Sequence, residues 1–193
     1  AVVLPSEYLL EILNSPTPWA AKGFLAKVLL YRKEYVECLS LCNEIIDSGK
    51  FQFLPVWADI FNEDNDNGPQ ALFQIQYTSG GAGEGNRMPG LYMDPNAKTF
   101  TERTFSTKGA AGYPRVTNRF HTSFDPNDVR RDFSIIKNFL DLNDNPKTGS
   151  FAGKFTVGAY DAFAFLNWGI NHTLLRYTEI LLMKAECINE LSG

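Results

Sequence analysis

The chain has 193 residues, 44% of them hydrophobic and 13% aromatic, which is enough for one full core or for a core with a lobe attached. Its formal net charge is −4, and its charges are mixed along the chain with no basic cluster, which argues against a phosphate-binding, nucleic-acid partner. It shows no signal peptide, lipidation motif or apolar run approaching the roughly 20 residues that a membrane helix needs.

The first predicted element is a helical hairpin over residues 18–50. Thr17 stands as an N-cap between Pro16 and Pro18, and Ala21, Leu25, Val28 and Leu29 recur at helical spacing. The polar stretch Arg32–Tyr35 breaks the pattern. A second stripe follows in Val36, Leu39, Cys42, Ile45 and Ile46, and Ser48-Gly49 closes it. The hairpin carries a partial tetratricopeptide signature. Ala26 takes the small position of the first helix and Cys38 the position where the two helices approach closely. Cys38, Cys42 and Cys187 read as small buried apolar residues. No His or further Cys stands near the first two as a metal ligand, and an odd count does not make a disulfide framework.

Residues 54–165 have a different texture and read as a long, loop-rich insertion. Residues 54–68 suggest a short helix ending in a polar loop. Residues 70–79 form the clearest strand, with Leu72, Ile75 and Tyr77 among glutamines. The glycines of residues 80–90 predict a loop, and residues 91–124 show no sustained period. Asp125, Pro126 and Asp128 predict a helix start. Residues 141–150 read as a turn, and residues 153–165 stand between strand and loop.

The closing stretch, residues 171–193, reads as one apolar helix. Aligning Ala185 with Ala26 makes it the first helix of a second repeat whose own partner helix is missing. The two alanines stand about 160 positions apart, against about 34 for tandem repeats, so the insertion separates them. The hairpin is one expected packing partner, and one face of the helix is expected to be exposed or covered by another molecule.

No catalytic constellation emerges. His121 and His172 lie in separate segments, and no H-E-x-x-H, G-x-S-x-G or P-loop occurs. The glycine loop lacks the G-x-G-x-x-G spacing and a following helix, so no phosphate cradle is expected. The stretches Asp64–Gly68 and Asp141–Pro146 each miss residues that a calcium loop requires. No metal or cofactor is therefore expected.

Taken in order, the hairpin, WADIF (57–61), ALFQIQY (71–77), the glycine-rich aromatic insert, FDPNDVRRDF (124–133) and LLRYTEILLMKAECINELSG (174–193) resemble the SusD/RagB family of outer-membrane nutrient-binding lipoproteins from Bacteroidetes. The resemblance covers nearly the whole chain. It implies a mainly α fold: tetratricopeptide-like helical hairpins of a SusD-like superhelix, with a long irregular insertion carrying a few short strands. Residues 1–193 are then a single central segment of such a domain. Within it lie the hairpin at 18–50, a ligand-facing lobe at 54–165 and the first helix of a truncated repeat at 171–193. The lipidated N-terminal Cys and the C-terminal region would lie outside this chain.

The resemblance also implies a non-enzymatic, cell-surface glycan-binding protein of polysaccharide utilisation. Its localisation would be the outer membrane, extracellular face, through a lipid anchor, beside a SusC-like TonB-dependent transporter. A sugar ring offers an apolar C–H face to an aromatic side chain, while planar polar groups take its hydroxyls. Loop aromatics with polar neighbours meet that need, which selects Tyr92 and Tyr113 with Asn86, Arg87 and Asp94 as ligand-binding candidates. Trp57 and Tyr77 read instead as core. A peptide-binding tetratricopeptide scaffold is the first rival reading, and a glycoside hydrolase the second.

Overall fold

A computed structural model of the chain describes residues 16–79, 83–94, 97–100, 103–104, 112, 115–154 and 167–193. In chain order it contains α1 (Pro18–Tyr31), α2 (Tyr35–Asp47), two 3-10 turns (Trp57–Phe61 and Glu63–Asn65), β1 (Ala71–Ile75), α3 (Met88–Tyr92), β2 (Ala97–Phe100), β3 (Arg103–Thr104), α4 (Asn118–Thr122), α5 (Val129–Ser134), β4 (Ile135–Asp141), β5 (Pro146–Ala152), β6 (His172–Arg176) and α6 (Tyr177–Ser192). These fall into two compact units. One holds the described residues up to Pro55 with Asp66–Gln76 and His172–Gly193, and the other holds Val56–Asn65 and Tyr77–Asn171.

The first unit is three helices on a two-stranded antiparallel ribbon. Thr17 caps α1 by accepting the Ala20 N–H at 3.1 Å, with Pro18 at the first helical position. The end of α1 is a Schellman closure: the Lys33 N–H reaches the Leu30 carbonyl and the Glu34 N–H reaches that of Leu29, both at 2.9 Å. That geometry puts Lys33 at φ 62°, a left-handed conformation that favours glycine. Gly49, at φ 64°, fills the equivalent place after α2 without that cost. The three residues between the helices turn the chain back on itself, and Ala26 and Cys38 are both fully buried.

The core of this unit joins Ala26, Cys38, Cys42 and Ile45 of the hairpin to Leu72, Leu175, Ile180, Met183 and Cys187. A side chain at Gly23 would have to enter space that Leu175, Leu72 and Ile180 fill, so α1 lies tight against the ribbon. Lys27 of α1 and Glu179 of α6 pair at 2.6 Å. All three thiols are free and buried. Burial raises their pKa, that of Cys187 to about 12 with a contribution from Cys38, so they behave as apolar filling at neutral pH.

The closing stretch is not a single helix. His172–Arg176 is the strand β6, pairing antiparallel with β1 (Phe73 with Leu175, Gln74 with Thr173, Ile75 with His172). The helix starts only at Tyr177. Leu174 and Leu175 suit either element, and the backbone of β1 decides, because its unpaired N–H and C=O groups need a partner. Gln74 reinforces the pairing by donating to the Thr173 hydroxyl at 2.7 Å. On α6, Ile180, Met183 and Cys187 are buried, whereas Leu182 is 65% exposed, and Ile188 and Leu191 are also exposed.

The second unit is built on a four-stranded sheet of order β3-β2-β4-β5. Its core is Met93, Ala97, Ile136, Phe139, Phe151, Trp168 and Ile170. Three sequence expectations change here. The glycine stretch expected as loop over 80–90, with no helix following, leads into the five-residue helix α3 from Met88, with Pro89 in its first turn. The helix expected from Asp125 onward begins at Val129, capped by Asp128, and lasts six residues. Asp125 instead closes a local turn by accepting the Asn127 N–H. The stretch expected as a turn at 141–150 is a hairpin loop followed by β5, with Asp141 accepting the Asn143 and Asn145 N–H groups. The run Ile135-Ile136 is β-branched, and pairing with Phe151-Ala152 turns it from helix to strand.

Truncating Leu175 to Ala is expected to cost about 2–5 kcal/mol in urea unfolding, whereas the same change at Leu182 is expected to cost well under about 1 kcal/mol. Lys33→Gly is expected to raise stability by up to about 1 kcal/mol, read from the urea midpoint, because glycine relieves the left-handed cost.

Candidate functional site

The second unit contains a cavity of about 500 Å³. Among the described residues, four aromatics line it: Trp57 from the first 3-10 turn, Tyr92 at the end of α3, Phe120 of α4 and Phe124 just beyond it. Arg115, Arg130 and Lys154 add positive charge. Val116, Ile135 and Ala152 form apolar wall, and Ser134 contributes a hydroxyl.

Local geometry holds each wall in place. The Val116 N–H donates to the Ser150 carbonyl at 3.1 Å, which ties the segment before α4 to β5. Thr117 caps α4 by accepting the Phe120 N–H. Phe120 and Phe124, one helical turn apart, meet edge to face at 5.3 Å. Trp57 packs edge to face on Phe61 at 5.5 Å, and Phe61 stacks on Phe133 at 5.9 Å. The Lys154 ammonium lies 5.4 Å from the Phe61 ring centre and 6.0 Å from that of Trp57, within cation–π range.

The two arginines are each held by a carboxylate. Asp128 grips Arg130 through Nε (2.9 Å) and Nη2 (2.6 Å) while also accepting its backbone N–H. These bonds from Arg130 hold the Asp128 carboxyl down at about 2. Arg115 Nη2 meets Asp94 Oδ2 at 2.9 Å.

The residues selected from sequence take different places. Tyr92 lines the cavity. Asp94 is buried and pairs with Arg115, another cavity residue. Asn86 is only 1% exposed. Its side chain donates to the Ile170 carbonyl at 2.9 Å and accepts the Met88 N–H, while its backbone exchanges hydrogen bonds with Trp168. Arg87 is exposed and does not line the cavity. Tyr113 lies outside the described residues.

Trp57, read as core, is half-buried and lines the cavity. Sequence reasoning also passed over Phe120, Phe124, Arg115, Arg130 and Lys154. The signal available for the two phenylalanines was their spacing of four beyond a Thr cap. For Arg130 it was the D-x-R of the stretch already singled out for its resemblance.

No family model matches the chain. The SusD-like protein P25 of Formosa agariphila is 25% identical over 222 residues, covering 100% of this chain and 42% of the relative. Surface glycan-binding protein A from Bacteroides thetaiotaomicron superposes with a TM-score of 0.78 at 22% identity, over 99% of this chain and 47% of its own. The fold is SusD-like. A laminarin-binding SusD-like protein superposes with a TM-score of 0.72 at 16% identity, over 96% of this chain and 46% of its own. The resemblance to the SusD/RagB family read from the residues thus holds in sequence and in fold, and this SusD-like chain spans a little under half the length of the relatives it matches.

In a carboxyl-resolved NMR titration, Asp128 is expected to titrate near pH 2. Arg130→Gln should bring it back toward the ordinary value of about 3.9. A depressed carboxyl stabilises the fold above its unfolded pKa and loses that contribution as pH falls through the folded one. The Asp128–Arg130 contribution is therefore expected to be complete above about pH 4 and to fade toward pH 2.

Proposed function

We propose that this SusD-like chain belongs to a cell-surface protein that binds oligosaccharides of nutrient type, starch-like or otherwise, without catalysis, and that the cavity of the second unit is where the sugar is held. The carrying observation is the chemistry of that cavity. Tyr92, Trp57, Phe120 and Phe124 offer aromatic faces, and Arg115, Arg130, Lys154 and Ser134 offer hydrogen-bonding groups at the same surface. Sugars are recognised by that mixture, with ring C–H faces on aromatics and hydroxyls on fixed polar groups. Asp94 contributes by orienting Arg115. Two relatives add support: surface glycan-binding protein A has been solved with laminarihexaose, and another neighbour is described as laminarin-binding.

The rest of the proposal follows the family resemblance. Residues 54–165 serve as the ligand-facing lobe on a scaffold of tetratricopeptide-like helices, and α6 is the first helix of a further repeat. The full-length protein is lipid-anchored at the extracellular face of the outer membrane and delivers its ligand to a SusC-like TonB-dependent transporter.

The test is calorimetric titration of the chain with neutral oligosaccharides, laminarihexaose and a xyloglucan fragment among them, beside a peptide library. Measurable sugar binding is expected. Tyr92→Ala and Trp57→Ala are each expected to weaken it by roughly three- to tenfold, the range of one lost aromatic contact. Affinity unchanged in both variants would remove the cavity from consideration. Release of shortened sugar products would replace the binding reading with a hydrolytic one.

A further inference from the structure

The described lining of the cavity is one-sided in charge. The chain carries 22 acidic and 18 basic residues, yet among the described lining residues three are basic and none is a carboxylate. The acids that hold the arginines sit behind them. The Asp94 side chain is 8% exposed against 54% for Arg115, and Asp128 is 16% exposed against 58% for Arg130.

This arrangement also unbalances the hydrogen-bonding inventory. Guanidinium and ammonium groups donate and never accept. Asp128 occupies Nε and Nη2 of Arg130, and Asp94 takes Nη2 of Arg115. Each planar fork is thereby oriented before any ligand arrives, with N–H groups to spare. The described lining side chains that can accept are the hydroxyls of Tyr92 and Ser134. A neutral sugar hydroxyl both donates and accepts, so a donor-rich wall suits it only in part. An anionic oxygen group accepts only, and pre-oriented guanidinium groups are its natural partners.

We infer that this cavity selects oligosaccharides carrying anionic groups, carboxylate or sulfate, over their neutral counterparts. The aromatic residues take the ring faces, and Arg115, Arg130 and Lys154 take the anionic oxygens. The inference rests on the glycan-binding reading above and adds to it the charge class of the ligand.

The test uses one backbone in three forms: methyl laminarihexaoside, the same compound oxidised at its primary hydroxyls to carboxylates, and the same compound sulfated there. Each is titrated into the chain at low and at moderate salt. One anionic form is expected to bind on the order of tenfold more tightly than the neutral form. That preference should shrink as salt rises. Which anionic form binds more tightly identifies the group. Lys154→Gln and Arg115→Gln, checked for folding by circular dichroism, should each reduce the preference to about threefold or less. Lys184→Gln, a basic residue of α6 in the other unit, should leave it intact. Neutral binding at least as tight as that of both anionic forms overturns the charge selection and leaves the glycan-binding reading standing. A preference that persists in both cavity variants, or falls equally in Lys184→Gln, also overturns it. Absence of binding by all three forms overturns both.

Discussion

The pairing of β1 with β6 is the constraint on which the rest of the chain depends. It joins Ala71–Ile75 to His172–Arg176 across a stretch of nearly one hundred residues. Closing a loop of that length costs entropy, although the cost grows only with the logarithm of length. The return is the burial of Leu72 and Leu175 against α1, with Ile180, Met183 and Cys187 of α6 completing the same core. The strands are short and bulged, so backbone hydrogen bonds alone are a weak adhesive. Apolar burial on the hairpin side holds the ribbon together, and Gly23 lets α1 come close enough to provide it.

Everything from Tyr77 to Asn171 is enclosed by that closure, and the second unit adds only Val56–Asn65 to it. It builds its own core around Phe139, Phe151 and Trp168. The exchange of backbone hydrogen bonds between Asn86 and Trp168 draws two loop segments together, and the close approach of Gly85 to the Asn167 backbone leaves no room for a side chain there. Asn86 is therefore an anchor of the loop that leads to Tyr92, while Tyr92 itself reaches the cavity. Binding surfaces built from loops need such fixed points, because recognition by an unordered loop carries the cost of ordering it.

The helical hairpin was legible to within a few residues. Thr17, Pro18 and Gly49 act locally, and their effect on the backbone does not depend on what lies across the core. The strand β1 was legible for a similar reason. The boundaries at 128–135 and 171–177 were not, since Ile135-Ile136 and Leu174-Leu175 suit helix and strand alike until a partner strand supplies the hydrogen bonds. The candidate site divides the same way. Tyr92 could be selected because the glycines before it and Asp94 after it mark a surface segment, although that segment closes as the short helix α3. Trp57 could not, because an aromatic in a short regular stretch looks the same whether it faces a core or a cavity.

The sequence alone thus determined the hairpin, the buried character of the three cysteines and the family likeness, because caps, periodicity and short phrases are local properties. Tertiary structure decided which residues share the cavity. Trp57, Tyr92, Arg115, Phe120, Arg130 and Lys154 are spread over almost one hundred positions, and only the folding of β4 and β5 beside α4 and α5 assembles them. Tertiary structure also decided the sign of that surface. A chain with a net charge of −4 turns three bases toward one concavity and seats the carboxylates of Asp94 and Asp128 behind the two arginines. Net charge is a sum over the whole chain, whereas a ligand meets only the groups that the fold turns toward it.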